Sequence, residues 1–159
     1  MAEFDGITSY LKVGPRRLRD AAELLEHPTL EPNEAGAEQR HLRAAVYLAG
    51  YAVEVVLKAY IISKSPPAQS LGEAVTIRRA RGLNVPDLLG AEGHRLDLLL
   101  SLTDLEEKID NDRSLKKDWV ICTKWKSTWR YDPTIPSMTF SREFTEAAQR
   151  IYRWVERQV

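Results

Sequence analysis

The apolar residues of this chain recur at intervals of three and four, and no segment shows the strict alternation of a half-buried strand. This periodicity predicts a helix over 15–27, with Leu18, Ala22 and Leu25 on one face and Pro15 in its first turn. It also predicts a last helix that Ser141 caps. The apolar stripe of that helix consists of Phe140, Phe144, Ala147, Ile151 and Val155.

Turn-forming residues divide the middle of the chain into shorter predicted helices. Ser70 is placed to cap a helix over 71–81, which Gly82 ends. Further helices are predicted over 94–105, with a continuation to 109, and over 115–127. The fold class expected from these elements is all-α.

The most apolar segment, Ala44–Ile62, lies inside a long helix predicted from an N-cap at Asn33 to Lys64. By length it would span a bilayer, but Glu54 and Lys58 would each cost roughly 3 kcal/mol at the bilayer centre. The pattern therefore favours a buried helix over a membrane span. We expect one domain over residues 1–159, a four- or five-helix antiparallel bundle around this long central helix.

One face of the central helix carries polar side chains within an apolar surround. Tyr47, Tyr51, Glu54, Lys58 and Ile61 are spaced by four and three residues, so they share that face. A buried charge needs partners, because removing an ion from water costs several kcal/mol. Two interpretations follow: an ion pair at the edge of the core, or a polar cleft lined by Tyr51, Glu54 and Lys58.

The charges cancel over the whole chain but not along it. Its 159 residues include 23 Lys and Arg and 23 Asp and Glu, so the chain as a whole does not attract polyanions. Locally, 103–112 carries a net charge of −4 and 113–130 a net charge of +5, with three tryptophans in the basic block. Cations among aromatic rings suit single-stranded nucleic acid. The candidate contacts are Lys124, Lys126, Trp125 and Trp129; alternatively, the rings belong to the core and the lysines are merely solvated.

The cysteine content, the N-terminal pattern and the absence of known motifs exclude several classes of site. One cysteine, Cys122, excludes a disulfide framework and a zinc site built from several thiolates, and it fits a reducing, cytoplasmic compartment. The N-terminus lacks the pattern of a signal peptide. The chain has no P-loop, no Gly-x-Ser-x-Gly and no dinucleotide glycine motif, so neither a cofactor nor a metal is expected.

Three stretches, taken in order, resemble the HEPN-domain family. AVYLAGYAVEVVLKAYI (Ala45–Ile61) is similar to the long, small-residue-rich helix of that family with its Glu and Lys. The stretch 93–100 resembles a later helix start, with Arg95 in place of an Asp, and 129–131 resembles the Arg-Tyr before the last helix. The resemblance implies a helical bundle, usually a dimer. Family members include ribonucleases, and others sit beside a nucleotidyltransferase in toxin–antitoxin or defence systems.

The chain departs from the nuclease members of that family. These use an Arg and a His separated by four to six residues, whereas none of His27, His41 and His94 has an Arg five to seven positions before it and no His follows Arg130. The resemblance therefore does not supply catalytic residues. By position it carries over five polar residues of a cleft between helices: Glu54, Lys58, His94, Arg130 and Tyr131. A buried Glu54–Arg130 pair would be a purely structural explanation of the same residues.

Three hypotheses follow from the sequence. The first is a non-catalytic, homodimeric module that binds a nucleotide, RNA or a nucleotidyltransferase-type partner and does not contact a membrane. The second is a divergent ribonuclease that gathers His94, Arg130 and Glu54, with His94 as general acid or base. The third is a dimer that only scaffolds a neighbour, in which small residues of the central helix permit close helix approach: Ala45, Ala49, Gly50 and Ala52.

Overall fold

A computed structural model describes residues 6–26, 37–131 and 136–159, with 37–40 described by their backbone. Throughout these ranges the regular structure is helical, which confirms the all-α prediction. The α-helices are α1 (Ile7–Glu26), α2 (Ala37–Ser63), α3 (Leu71–Ala80), α4 (Leu96–Ser101), α5 (Leu105–Asn111), α6 (Arg113–Cys122) and α7 (Met138–Glu156). Two 3₁₀ helices, Ala91–His94 and Ser127–Tyr131, precede α4 and α7. The described ranges thus hold more α-helices than the four or five expected, because four of them have ten residues or fewer.

The long helix α2 is the centre of the structure. Helices α1 and α7 pack along it most extensively, while α3, α4 and the second 3₁₀ helix cover other parts of its surface. By length and apolar composition alone, its segment His41–Ser63 could cross a membrane, but 83% of its most apolar window is buried inside the protein. This burial agrees with the interpretation of α2 as a core helix.

Helix α1 begins at Ile7, eight residues before the predicted start, and Pro15 lies inside it. Its buried stripe continues toward the N-terminus, because Ile7 and Leu11 pack against the core. Gly14 is buried against the ring of Tyr152 in α7, where a Cβ atom would overlap that ring. The prediction of Ala22 on the buried face was wrong, since Ala21 is the fully buried residue. Tertiary contacts of this kind extend α1 toward the N-terminus, beyond the start that Pro15 predicts.

The predicted ends of α3 are confirmed. Ser70 is the N-cap and accepts a hydrogen bond from the backbone N–H of Glu73 at 3.3 Å. Gly82 follows the helix with φ of +81°, a left-handed conformation that favours glycine. The helix α2 ends at Ser63, one residue before the predicted Lys64, and its predicted N-cap Asn33 lies outside the described residues.

The single helix predicted over 94–105 and on to 109 is wrong, because it is interrupted at 102–104. Arg78 donates a hydrogen bond to the carbonyl of Leu102 at 2.6 Å, which satisfies the last turn of α4. Tyr60 of α2 donates to the carboxylate of Asp104. These contacts from α2 and α3 lie at the break between α4 and α5.

The last helix also begins earlier than predicted. Ser137, not Ser141, is its N-cap, accepting from the backbone N–H of Phe140 at 3.1 Å, and Ser141 is buried one turn inside. The helix predicted over 115–127 begins at Arg113, where the Asp112 carboxylate caps it, and ends at Cys122. The chain then turns before the second 3₁₀ helix.

The small residues of α2 serve packing within one chain. Ala45, Ala49 and Ala52 have no exposed surface. A Cβ atom on Gly50 would overlap the indole ring of Trp125. The close approach that these residues permit is therefore used by the protein's own side chains, which removes the surface that the scaffold hypothesis assigned to a dimer contact.

We expect Gly50→Ala to destabilise the protein by about 1–3 kcal/mol, because the indole of Trp125 must move out of a packed core. The measurement is urea denaturation followed by circular dichroism. Gly72→Ala in α3 is the matched control. Its added Cβ would meet nothing nearer than Leu89 Cδ1 at 3.6 Å, and helix propensity makes this change neutral or stabilising by up to about 1 kcal/mol. Equal effects of the two substitutions would contradict the packing argument.

Candidate functional site

Glu54 and Lys58 form an ion pair in the interior of the protein. The two residues are one helical turn apart on α2, and Lys58 Nζ lies 2.6 Å from Glu54 Oε1. The side chain of Glu54 is 1% exposed and that of Lys58 is 9% exposed. At this depth the pair is not a solvated surface bridge. Removing either partner would leave a buried charge without its counter-ion.

His94 provides the second partner of Glu54. It ends the first 3₁₀ helix, and its Nδ1 lies 3.1 Å from each carboxylate oxygen of Glu54. Gly93 permits this position, because a Cβ atom there would overlap the backbone of Leu88. The imidazole is 40% exposed, so it joins the buried ion pair to the surface.

The chemistry of the carboxylate fixes the orientation of the histidine ring. An ionised carboxylate only accepts hydrogen bonds, so the proton between Glu54 and His94 belongs to Nδ1 of the imidazole. The other nitrogen, Nε2, makes no hydrogen bond to any residue that the structure describes. Glu54 therefore holds His94 through Nδ1, and Nε2 is the ring nitrogen left without a partner among the described residues.

A surface groove of about 390 Å³ adjoins the imidazole. One wall is the segment from the first 3₁₀ helix into α4, and the other is the connection from α6 to the second 3₁₀ helix. Its polar lining consists of His94, Arg95, Asp97, Thr123, Lys126, Ser127 and Thr128. The groove combines two cations and one carboxylate with hydroxyl groups, and its cations and hydroxyl groups are donors to phosphate oxygens.

Tyr51 lies one turn before Glu54 on the same face of α2 and is half-buried. Burial raises the pKa of its phenol, and the negative charge of Glu54 raises that pKa further. The phenol is therefore a neutral hydrogen-bonding group beside the ion pair.

Arg130 and Tyr131 form a separate pair on the second 3₁₀ helix. Both are exposed, and the guanidinium of Arg130 lies over the Tyr131 ring at 4.8 Å. Among the residues that the structure describes, the Glu54 carboxylate contacts Lys58 and His94, and no contact between Glu54 and Arg130 is present. The structure thus brings together three of the five cleft residues that the sequence singled out, and sets the other two apart as a surface pair.

The tryptophans of the basic block pack inward. Trp125 is 4% exposed, and its indole N–H donates to the carbonyl of Tyr47 at 3.2 Å. Trp129 is half-buried against Phe140 and Phe144. A ring as buried as that of Trp125 has no face on which a nucleic-acid base can stack. Trp125 therefore packs in the core and is not placed to contact nucleic acid.

The two candidate lysines of this block are both exposed but differ in position. The ammonium group of Lys124 lies over the ring of Phe140 at 5.8 Å, away from the groove lining. Lys126 is part of that lining. Of the two, Lys126 is therefore the one placed near His94.

The sequence pattern did not indicate the hydroxyl side of the groove. Thr123, Ser127 and Thr128 carry no motif, and no local signal relates them to His94. Cys122 has no exposed surface, and burial raises the pKa of its thiol, which agrees with a packed, unreactive cysteine. Among the described residues no group of His, Cys, Asp and Glu side chains is arranged to hold a metal ion.

No protein-family model, curated protein or solved structure matches this chain.

The interior ion pair predicts strong coupling between Glu54 and Lys58. We expect Glu54→Gln and Lys58→Met each to destabilise the protein by about 3–5 kcal/mol, because each leaves one buried charge without its partner. The double variant should lose less free energy of unfolding than the sum of the losses in the two single variants. Urea denaturation should then give a coupling energy of about 1–3 kcal/mol. The exposed pair Lys108–Asp104, with the same spacing, is the control and should show coupling of about 0.5 kcal/mol or less. Additive effects at Glu54 and Lys58 would contradict this description of the site.

Proposed function

We propose that this protein is a HEPN-like helical module without a chemical step of its own, which binds RNA or a nucleotide in the groove beside His94. The observation that carries the proposal is the His94 imidazole, anchored by the buried Glu54–Lys58 pair at the wall of a groove that also holds Lys126 and hydroxyl side chains. A rigid wall of this kind holds its polar groups in place before a ligand arrives.

The composition of the groove supports a ligand that carries phosphate. Lysine and hydroxyl side chains bind phosphate oxygens, and such contacts need no sequence-specific base recognition. Since the chain as a whole has no net charge, affinity must come from this local group of donors. We therefore propose that the groove contacts one or two nucleotides. The buried ring of Trp125 contributes to the shape of the groove wall.

The biological setting belongs to the same proposal and rests on the resemblance in the sequence. The HEPN-like helix, the all-α fold and the missing Arg–His motif support a homodimeric cytoplasmic module beside a nucleotidyltransferase-type partner. A toxin–antitoxin or defence-like system is the setting that this combination favours.

One contact favours a second function, a divergent metal-independent ribonuclease. Histidine held through Nδ1 by a carboxylate, with Nε2 unoccupied by the described residues, is the arrangement of a general acid or base. We favour binding over cleavage because Arg130, the cation that this alternative requires at the site, contacts Tyr131 on an exposed turn.

The binding proposal predicts a specific role for Lys126. We expect Lys126→Ala to weaken binding of a fluorescein-labelled single-stranded RNA in an anisotropy titration, and to reduce the slope of log K against log salt by about 0.7, the loss of one phosphate contact. Lys117→Ala is the control, since it removes the same charge from an exposed position on α6 outside the groove. Equal binding by the two variants would contradict the proposed site.

The same reasoning predicts that the purified protein leaves RNA intact. The measurement is prolonged incubation with labelled RNA without metal, followed by denaturing electrophoresis, with His94→Ala alongside. Cleavage that disappears in His94→Ala would establish the ribonuclease alternative and contradict the proposal of a module without a chemical step.

A further inference from the structure

The fixed charges around the groove cancel, so its net charge depends on the protonation state of His94. Arg95 is held between two carboxylates, with Glu92 at 3.0 Å and Asp97 at 2.8 Å, so this trio has a net negative charge. Lys126 on the opposite wall offsets it. Beneath the imidazole, Glu54 and Lys58 cancel each other, and the raised pKa of Tyr51 keeps its phenol neutral.

These groups are the charged residues of the groove lining with their ion-pair partners, and the buried groups of α2 beneath His94. They belong to α2, to the segment from the first 3₁₀ helix into α4, and to the connection after α6. With a neutral imidazole their charges sum to zero, and with a protonated imidazole the groove becomes positive. The protonation state of one side chain therefore decides whether the groove attracts an anion.

The hydrogen bond to Glu54 also determines where that proton is taken up. Because Nδ1 already carries the hydrogen shared with the carboxylate, protonation occurs at Nε2, the ring nitrogen that makes no hydrogen bond to a described residue. In the neutral ring Nε2 is an acceptor, and its lone pair repels the oxygens of a phosphate group. In the protonated ring it becomes a charge-assisted donor.

We propose that the groove is a proton-linked site for a phosphodiester group, which binds when His94 is protonated at Nε2 and is released when the ring is neutral. The inference rests on the proposed binding function and adds its ligand group and its control by pH. Lys126 and the hydroxyls of Thr123 and Ser127 contact the other oxygens of the phosphate. A groove of about 390 Å³ has the size of a nucleotide-scale ligand.

The direction of the pH dependence follows from linkage. A ligand that binds only the protonated form stabilises that form, so binding and proton uptake strengthen each other. Affinity is greatest at acid pH and falls as pH rises through the range in which imidazole loses its charge, between about pH 5 and 8. The buried Glu54–Lys58 pair has a positioning role, because it holds the ring but does not touch the ligand.

The test is an NMR titration with the dinucleotide UpU, whose phosphodiester keeps a constant charge over this pH range. We expect the dissociation constant to be about tenfold larger at about pH 8 than at about pH 6. In the same samples, saturation with UpU should move the titration of the His94 Cε1–H resonance to higher pH, which is the reciprocal effect.

Two histidine variants isolate the group responsible. His94→Gln has no titrating ring and should lose the pH dependence of binding, whereas His41→Gln, at a half-buried position near the start of α2, should keep it. The wild-type resonance measurement does not depend on whether a variant folds.

The outcomes separate this inference from the function on which it rests. Equal affinity for UpU at both pH values, or no binding together with an unmoved His94 titration, overturns the proton-linked site. RNA binding that still requires Lys126 would then leave the proposed function in place. A pH dependence that persists in His94→Gln also overturns the inference, because it would belong to another group.

Discussion

The buried ion pair between Glu54 and Lys58 is the constraint on which the site depends. Both ions lie on a helix whose centre is covered by the rest of the protein. Taking each of them from water costs several kcal/mol, which only mutual contact and further hydrogen bonds offset. Their one-turn spacing supplies the first contact, and the remaining capacity of the Glu54 carboxylate holds His94. The position of His94, the most exposed member of this trio, therefore follows from two charges that are almost wholly buried.

Close packing keeps the surroundings of the trio fixed. Gly50 admits the indole of Trp125 against α2, and Gly93 lets the segment bearing His94 lie against Leu88. Contacts from Arg78 and Tyr60 lie at the break between α4 and α5. These close approaches leave no room for a larger side chain at either glycine.

Electrostatics in this protein is local. The chain has equal numbers of acidic and basic residues. Among the residues that the structure describes, a single ion pair, Lys116–Asp110, joins the acidic stretch 103–112 to the basic stretch 113–130. Around His94 the fixed charges again cancel, so neither whole-chain composition nor segment charge determines what the groove attracts. In the proton-linked site that we propose, a single imidazole, held by a buried carboxylate, determines it.

Local sequence alone specified the helical class, the capped ends of α3 and the Glu54–Lys58 pair, because each depends on residues within about one helical turn of each other. It did not specify the start of α1, the break after α4 or the early start of α7, where packing overrides or adds to the local cap signals. Local sequence could not predict the groove. His94 meets Glu54 forty residues away, and Lys126 joins them from another connection, so their proximity exists only in the packed structure. For the same reason Arg130, near Glu54 in the family pattern, lies with Tyr131 on an exposed turn. Periodicity encodes neighbours along a helix, whereas contacts between helices are decided by which surfaces the whole chain can bury at once.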